Sequence, residues 1–242
     1  MILVDADIIC YRLGYATEND PDASERLVRA MVNTYVDEML QTIVEKHPEY
    51  TEFFMFLTGK GNFRNDFAVT APYKGNRTKQ KPRFIPTIRE HLIQNFEASV
   101  SEDEEADDVI AIKATENRDN CLICSVDKDF LQVPGHHYNF VTNTYQTVSD
   151  EEGMFNFYQQ ILTGDRVDNI IGLTGIGPVK SKKLLEGLSE QEMYDKCVEL
   201  YGSEERVIEN ARLLWLRREA GQIWSPPNED TQQEEETDEK AP

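Results

Sequence analysis

An α/β fold built on a mainly parallel sheet is predicted, and three observations predict it. Short apolar runs (Ile2 to Val4, Phe53 to Leu57, Cys121 to Val126) alternate along the chain with stretches of helical spacing. Strands separated by helix-length segments join in parallel, and the helices cover both faces of the sheet. The runs are continuously apolar rather than alternating, as strands buried on both faces are. With 242 residues, 39% of them hydrophobic and 29% charged, the chain can bury such a core without disulfide staples.

The elements follow in order. Ile2 to Asp5 reads as a short buried strand. Ser24 to His47 is a helix, because Leu27, Met31, Tyr35, Met39 and Ile43 recur every four residues. Phe53 to Leu57 is the second strand, closed by Thr58-Gly59. From Gly61 to Arg83 regular pattern is scarce. Pro86 suits the first turn of a helix running to about Phe96. Ala98 to Val100 is a short strand, and Ser101-x-x-Glu104 resembles a capping box that opens a helix reaching Asn117. Cys121 to Val126 is the most apolar strand. Tyr138 to Val141 and Tyr145 to Val148 form an edge hairpin, and Ser149-x-x-Glu152 opens a helix ending near Thr163-Gly164. After Asp168 the character changes. Gly172 to Gly177 is a glycine-rich turn between short helical pieces, and two further helices start at Ser189 and near Glu204, the second reaching Ala220. From Asn228 onward there are seven acids, one lysine and no apolar residue except Ala241, the composition of a disordered tail.

Acidic residues number 45 against 25 basic ones, a net charge of −20, which argues against a generally basic nucleic-acid coat. No apolar run approaches a membrane span. The start, MILVDADII, lacks the charged leader of a signal peptide, so a cytoplasmic location is expected. Of the four cysteines, Cys10 and Cys197 stand alone. Cys121 and Cys124 lie on one strand, where positions three apart face opposite ways, so buried structural thiols are expected rather than a zinc or redox pair.

In open α/β sheets, sites form beyond the carboxyl ends of the strands. Four acidic groups fall there: Asp5 with Asp7, Glu105 with Asp107 and Asp108, Asp127 with Asp129, and Asp165 with Asp168. Taken singly they are helix caps, first-turn acids or turn formers. Gathered together they require neutralisation, and an oxygen-only donor set without histidine favours Mg²⁺ or Mn²⁺ over zinc. Basic residues cluster too. Between Phe67 and Arg89 there is no acid, yet Lys74, Arg77, Lys79, Lys81, Arg83 and Arg89 are present, with Tyr73 and Phe84 interleaved. Such a stretch suits phosphate contacts and base stacking. A second acid-free stretch carries Gly175-Ile176-Gly177 followed by Lys180, Lys182 and Lys183, so that backbone amides and lysines could meet a phosphate at a helix start.

These segments resemble the flap endonuclease/5′–3′ exonuclease superfamily, particularly its bacteriophage branch, over roughly residues 2 to 187. They are LVDAD at 3–7, FR at 63–64, YKGNR at 73–77, EADDVIA at 105–111, SVDKDFLQ at 125–132 and GDRVDNIIGLTGIGPVKSKKLL at 164–185. The resemblance implies a PIN-like nuclease core over 1–168 with a helical arch at about 61–96. It further implies a helix-hairpin-helix region, placed at 169–224, and composition leaves 225–242 as the disordered acidic tail. It implies two divalent ions, one held by Asp5, Glu105, Asp107 and Asp108, the other served by Asp127, Asp129, Asp165 and Asp168. Lys74 and Arg77 match cations beside the scissile phosphate, and Tyr73 a neighbouring stacking aromatic. Lys79, Lys81, Arg83 and Lys180 join them as DNA contacts. Gly175, Ile176 and Gly177 match a hairpin that holds K⁺ against a phosphate with backbone carbonyls. The family usually ends its second strand in Asp, and here Thr58 stands nearest that position. Asp7 is a candidate replacement, two residues after Asp5 on the same strand face, with a helix-capping role as the alternative.

The implied activity is two-metal hydrolysis of DNA near a 5′ flap, nick or free 5′ end, with RNA–DNA hybrids as a second substrate. The implied protein is a monomer in the cytoplasm, the host's if the chain is viral. A PIN-type single-strand ribonuclease and a non-catalytic DNA-binding accessory are the alternatives. The glycine-lysine hairpin weighs against the first and the near-complete acid set against the second.

Overall fold

The structure is a computed structural model and describes residues 1–227. The acidic tail expected from residue 228 onward lies outside the described residues. The described residues pack as two units, 1–62 with 79–149, and 63–78 with 150–227. This differs from a boundary at residue 168: the helix starting at Asp150 belongs to the second unit, together with the short segment 63–78.

The first unit contains β1 (Ile2–Asp5), α1 (Ala6–Thr17), α2 (Glu25–Lys46), β2 (Phe53–Lys60), α3 (Ile85–Phe96), β3 (Ser99–Glu102), α4 (Ala106–Glu116), β4 (Leu122–Cys124), β5 (Gly135–Asn139) and β6 (Thr144–Val148). Its sheet runs β3-β2-β1-β4-β5-β6. All pairings are parallel except β5 with β6, the expected edge hairpin. β1 is central: Ile2 pairs with Phe53 on one side and Leu122 on the other. All four of its residues are buried, which explains its unbroken apolar run. The strand order reverses direction at β1, so the crevice between the ends of β1 and β4 is a topological switch point, where open α/β sheets place their sites.

Two helices differ from expectation. In α2, capped by Ser24 as expected, the buried positions are Val28, Val32, Val36, Met39 and Ile43, while Leu27 is exposed. A strict four-residue spacing drifts by about 40° per step, so the core stripe shifts by one residue and then steps by three. α1 carries no signature that sequence reading recognised; its N-cap is the strand's own last residue, Asp5, which accepts from the Asp7 N–H at 3.2 Å. The strand therefore ends at Asp5, and Asp7 sits on a helical first turn rather than on the same strand face. Ser101-x-x-Glu104 is not a capping box either. The Ser101 hydroxyl donates to the Glu104 carbonyl at 2.6 Å, and α4 is capped by Glu105, whose N–H donates to Asp108 at 3.2 Å.

The second unit contains α5 (Asp150–Thr163), the ladder of β7 (Gly164–Asp165) with β8 (Ile170–Ile171), α6 (Pro178–Leu185), α7 (Glu190–Tyr201) and α8 (Glu204–Leu214). Phe157, Ile161, Leu185, Cys197, Val207 and Ala211 lie at its core. β7 and β8 approach closely: Gly164 has φ +67°, and a Cβ there would sit 2.3 Å from the Gly172 nitrogen. Segment 63–78 folds onto α8. Buried Arg64 donates from Nε to the Leu213 carbonyl at 2.9 Å and from Nη2 to the Trp215 carbonyl at 2.7 Å, so α8 ends at Leu214, short of the expected Ala220. Glu209 accepts the N–H groups of Val69 at 2.9 Å and Thr70 at 2.6 Å. Burial pushes the Glu209 carboxyl up, but the Thr70 hydrogen bonds and Arg206 together outweigh it and hold it below the usual range.

No helical arch forms over 61–84. That stretch has one 3₁₀ turn at Phe63–Asp66, and α3 packs in the first unit. Pro72 and Pro82 break any helical run, and the amides of Val69, Thr70 and Lys74 bond to Glu209 and Asp168.

Candidate active site

At the switch point of the first unit stands Asp5, 4% exposed. Its carboxylate accepts the Ser125 hydroxyl at 3.0 Å, and the same hydroxyl accepts the Asp127 N–H at 3.0 Å. Ser125 thus joins the ends of β1 and β4 by one oxygen. Burial, with Asp7 and then Asp127 adding negative charge, pushes the Asp5 carboxyl up to about 7, against the Ser125 and Asp7 hydrogen bonds that lower it. A desolvated carboxylate among acids is a place where a cation gains most.

Around it the other acids are positioned by backbone. Glu105, 7% exposed, caps α4, and Asp108, fully buried, closes that cap. Asp107 is half-buried in the same first turn. Asp127 caps the 3₁₀ turn Lys128–Gln132 and accepts the Asp129 N–H at 2.9 Å. Asp129 has Lys128 Nζ at 3.9 Å. Among the described residues no three His, Cys, Asp or Glu side chains stand as a ready-made cage. The set still fits Mg²⁺ or Mn²⁺, because hard oxygen donors are what these ions take, and Mg²⁺ binds through one or two carboxylates while keeping several waters.

Asp7 is neither a free ligand nor a cap. Its Oδ1 accepts Arg89 Nη1 at 2.9 Å and its Oδ2 accepts the Thr58 N–H at 2.9 Å, while Arg89 Nη2 donates to the Thr58 carbonyl at 2.7 Å. Both oxygens are thus held in a closed ring with β2. The Thr58 hydroxyl is engaged elsewhere, accepting the Ala106 N–H at 3.0 Å and so anchoring the start of α4. Ser125, Thr58 and Arg89 were not singled out as site residues by sequence reading. Each has a signal in the sequence: Ser125 lies two residues before Asp127, Thr58 stands where the family has its strand-end acid, and Arg89 closes the acid-free basic stretch.

In the second unit, β7 ends in Asp165, buried, whose Oδ1 accepts the N–H groups of Val167 at 2.6 Å and Asp168 at 3.2 Å. Asp168 accepts Arg77 Nη2 at 2.6 Å on Oδ1, and the Tyr73 hydroxyl at 2.9 Å on Oδ2, with Lys74 Nζ at 3.5 Å from Oδ2. Tyr73, expected as a stacking residue, is 9% exposed and belongs to the apolar cluster that includes Phe157 and Ile170.

At the glycine-rich hairpin, Gly175 has φ +78°, which favours glycine, and Gly177 is the N-cap of α6 with Pro178 opening the helix. A Cβ at either glycine would meet nothing within 4 Å, so the turn is open. Ile176 is half-buried against the unit's core, while Lys180, Lys182 and Lys183 are exposed. Lys79 and Lys81 are exposed as well. Arg83 is used structurally: its N–H donates to Glu18 at 2.8 Å and its guanidinium to the Asp20 carbonyl at 2.7 Å. All four cysteines are buried and free. Burial pushes their thiols up, to about 12 for Cys10 and Cys197 and about 11 for Cys121, which leaves them inert as nucleophiles or ligands.

Comparison with known proteins gives a consistent picture. The family model for the 5′–3′ exonuclease N-terminal resolvase-like domain matches residues 1–159. A flap endonuclease Xni of Shewanella woodyi is 30% identical over 135 residues, which is 51% of this chain and 51% of that protein. A 5′–3′ exonuclease of Mycoplasmopsis pulmonis is 27% identical over 213 residues, 79% of this chain and 67% of that one. The chain thus spans about half of the first relative's length and two thirds of the second's. Among solved structures, the T5 5′-exonuclease with divalent zinc ions bound superposes with a TM-score of 0.66 at 19% identity, covering 88% of each chain; it shares the fold.

Proposed function

The chain belongs to the family of 5′–3′ exonuclease N-terminal domains, and from that membership we propose that it is a divalent-metal-dependent nuclease hydrolysing phosphodiester bonds near 5′ ends of DNA. The observation that carries the reading is the acid group at the ends of β1 and β4, centred on a buried Asp5 that has Asp7 and Asp127 as negative neighbours. The names of the two relatives and the zinc ions in the T5 neighbour support it.

In this reading Asp5, Glu105, Asp107 and Asp108 hold one Mg²⁺ or Mn²⁺ ion, Asp127 and Asp129 serve a second, and Asp165 and Asp168 are candidate ligands carried by the second unit. Bound ions supply a coordinated water of lowered pKa and positive charge for the phosphoryl oxygens. The rest falls to the chain. Ser125 orients the Asp5 carboxylate. Lys74 and Arg77 stabilise charge developing on the phosphoryl group. Lys79, Lys81 and Lys180 contact backbone phosphates, and the carbonyls of Gly175 to Gly177 hold K⁺ against duplex DNA. No side chain is needed as nucleophile, because a metal-bound water would fill that role. The substrates are flaps, nicks and free 5′ ends, with RNA–DNA hybrids second. The protein acts as a cytoplasmic monomer.

Digestion of 5′-labelled flap, nicked duplex, RNA–DNA hybrid and single-stranded RNA, with Mg²⁺ and with chelator, tests this. Mg²⁺-dependent release of short 5′ products from the flap is expected. Cleavage confined to single-stranded RNA would convert the reading to a PIN-type ribonuclease, and binding without cleavage to a DNA-binding accessory.

A further inference from the structure

We infer that Asp168 is a positioning residue, which holds Lys74 and Arg77 in place for a phosphate, and not a ligand of a divalent ion. This rests on the nuclease reading and reassigns one acid within it. Both carboxylate oxygens are engaged by side chains of segment 73–77: Oδ1 by Arg77 at 2.6 Å, and Oδ2 by the Tyr73 hydroxyl at 2.9 Å and by Lys74 at 3.5 Å. The side chain of Asp168 is 14% exposed, so the two cations act on it with little solvent screening. A divalent ion binding there would meet both of them at close range. Asp165, three residues earlier, accepts backbone N–H groups on its Oδ1 and stays in the ligand set.

The backbone around the pair is built to hold it. The Lys74 N–H donates to the Asp168 carbonyl at 2.9 Å, Asn169 Nδ2 donates to the Pro72 carbonyl at 2.9 Å, and Asn76 Nδ2 donates to the Arg166 carbonyl at 2.5 Å. Two segments about 90 residues apart in sequence, 72–77 and 165–169, are thereby zipped along their length. Lys74 has φ +54°, a left-handed conformation that a non-glycine residue adopts only at a cost; the flanking bonds maintain it. Arg77 gives Asp168 one N–H of its guanidinium and is 46% exposed at the side chain, which leaves further donors of its fork directed to solvent, where a phosphate can take them. An acid pinned by Tyr73 thus orders both cations before any substrate arrives.

Two measurements on wild type, Asp168→Asn, Arg77→Ala and the double variant decide the matter. The first is the binding isotherm of Mn²⁺ alone, without DNA. The expected result is that Asp168→Asn binds within about twofold of wild type. The second is single-turnover cleavage of a 5′-flap DNA. Each single variant should lose up to about 100-fold, the size of a misplaced catalytic group. The double variant should lose no more than about threefold beyond the worse single, because the two residues act as one unit. A tenfold or greater loss of Mn²⁺ affinity in Asp168→Asn overturns the inference, and so do rate losses that multiply. If Asp168→Asn does not fold, Asp168→Glu, which keeps the charge, carries the same two measurements. Failure of the underlying nuclease reading looks different: wild type itself would leave every 5′-ended DNA intact.

Discussion

Arg64 supplies the most demanding test of how the second unit is built. It is 1% exposed, and its guanidinium donates to the carbonyls of Leu213 and Trp215, the last turn of α8 and the residue after it. A buried cation at a helix C-terminus complements the dipole as well as satisfying two acceptors. Hydrogen bonds from a charged donor are worth about 1.5–3 kcal/mol each, and losing them leaves two carbonyls unsatisfied. Arg64→Ala should therefore destabilise the unit by about 3–5 kcal/mol. For a unit of this size that lowers the melting temperature by about 12 °C or more. Arg64→Lys, which keeps the charge but cannot present a fork to both carbonyls, should lose about half as much. Both tryptophans of the chain, Trp215 and Trp224, lie at this end of α8, so intrinsic fluorescence reads the unit directly during urea or thermal unfolding. An Arg64→Ala protein whose fluorescence transition lies within about 1 kcal/mol of wild type would refute the reasoning. The FR pair would then be read through the reaction instead of through packing.

The remaining predictions concern the first unit. Asp5→Asn should abolish cleavage and also remove stabilisation by Mg²⁺; at 100 times its dissociation constant the ion should stabilise wild type by about 2.7 kcal/mol, and an equal thermal shift in both proteins would count against Asp5 as a ligand. Asp7→Asn should lower stability by about 1–2 kcal/mol by weakening the Arg89 ring, while leaving the Mg²⁺ concentration for half-maximal rate unchanged; a raised Mg²⁺ requirement would restore Asp7 to the ligand set. Burial lowers the pKa of His137, whose Nε2 lies 2.8 Å from the Val133 carbonyl. The unfolded chain then binds the proton more readily than the folded one, so this contribution is fully present above about pH 6.5 and is lost as pH falls towards the folded value. His137→Gln should flatten that part of the stability profile between about pH 7 and 5, measured by urea midpoint, and an unaltered slope would show that other groups govern it.

Much of the fold is legible in the residues because its causes are local. β1, β2 and β4 are apolar runs, and a strand buried on both faces requires that. Ser24 and Ser189 cap helices from within three residues, so their signatures are complete in the sequence. The acids at the ends of β1 and β4 follow from strand order, which places a crevice where the order reverses. What tertiary structure alone decided is the partner each polar side chain takes. Asp5 became a helix cap as well as a candidate ligand, because α1 starts where β1 stops. Asp7 went to Arg89, 82 residues away, and Tyr73 and Arg77 went to Asp168, 95 and 91 residues away. In the stretch over 61–84, which forms no α-helix, the amides of Val69, Thr70 and Lys74 found Glu209 and Asp168, each more than 90 residues away. Periodicity and capping are written within about four residues of each position. A carboxylate's choice between a cation, an amide and a metal ion depends on which groups folding brings within hydrogen-bond reach, and no local pattern encodes that.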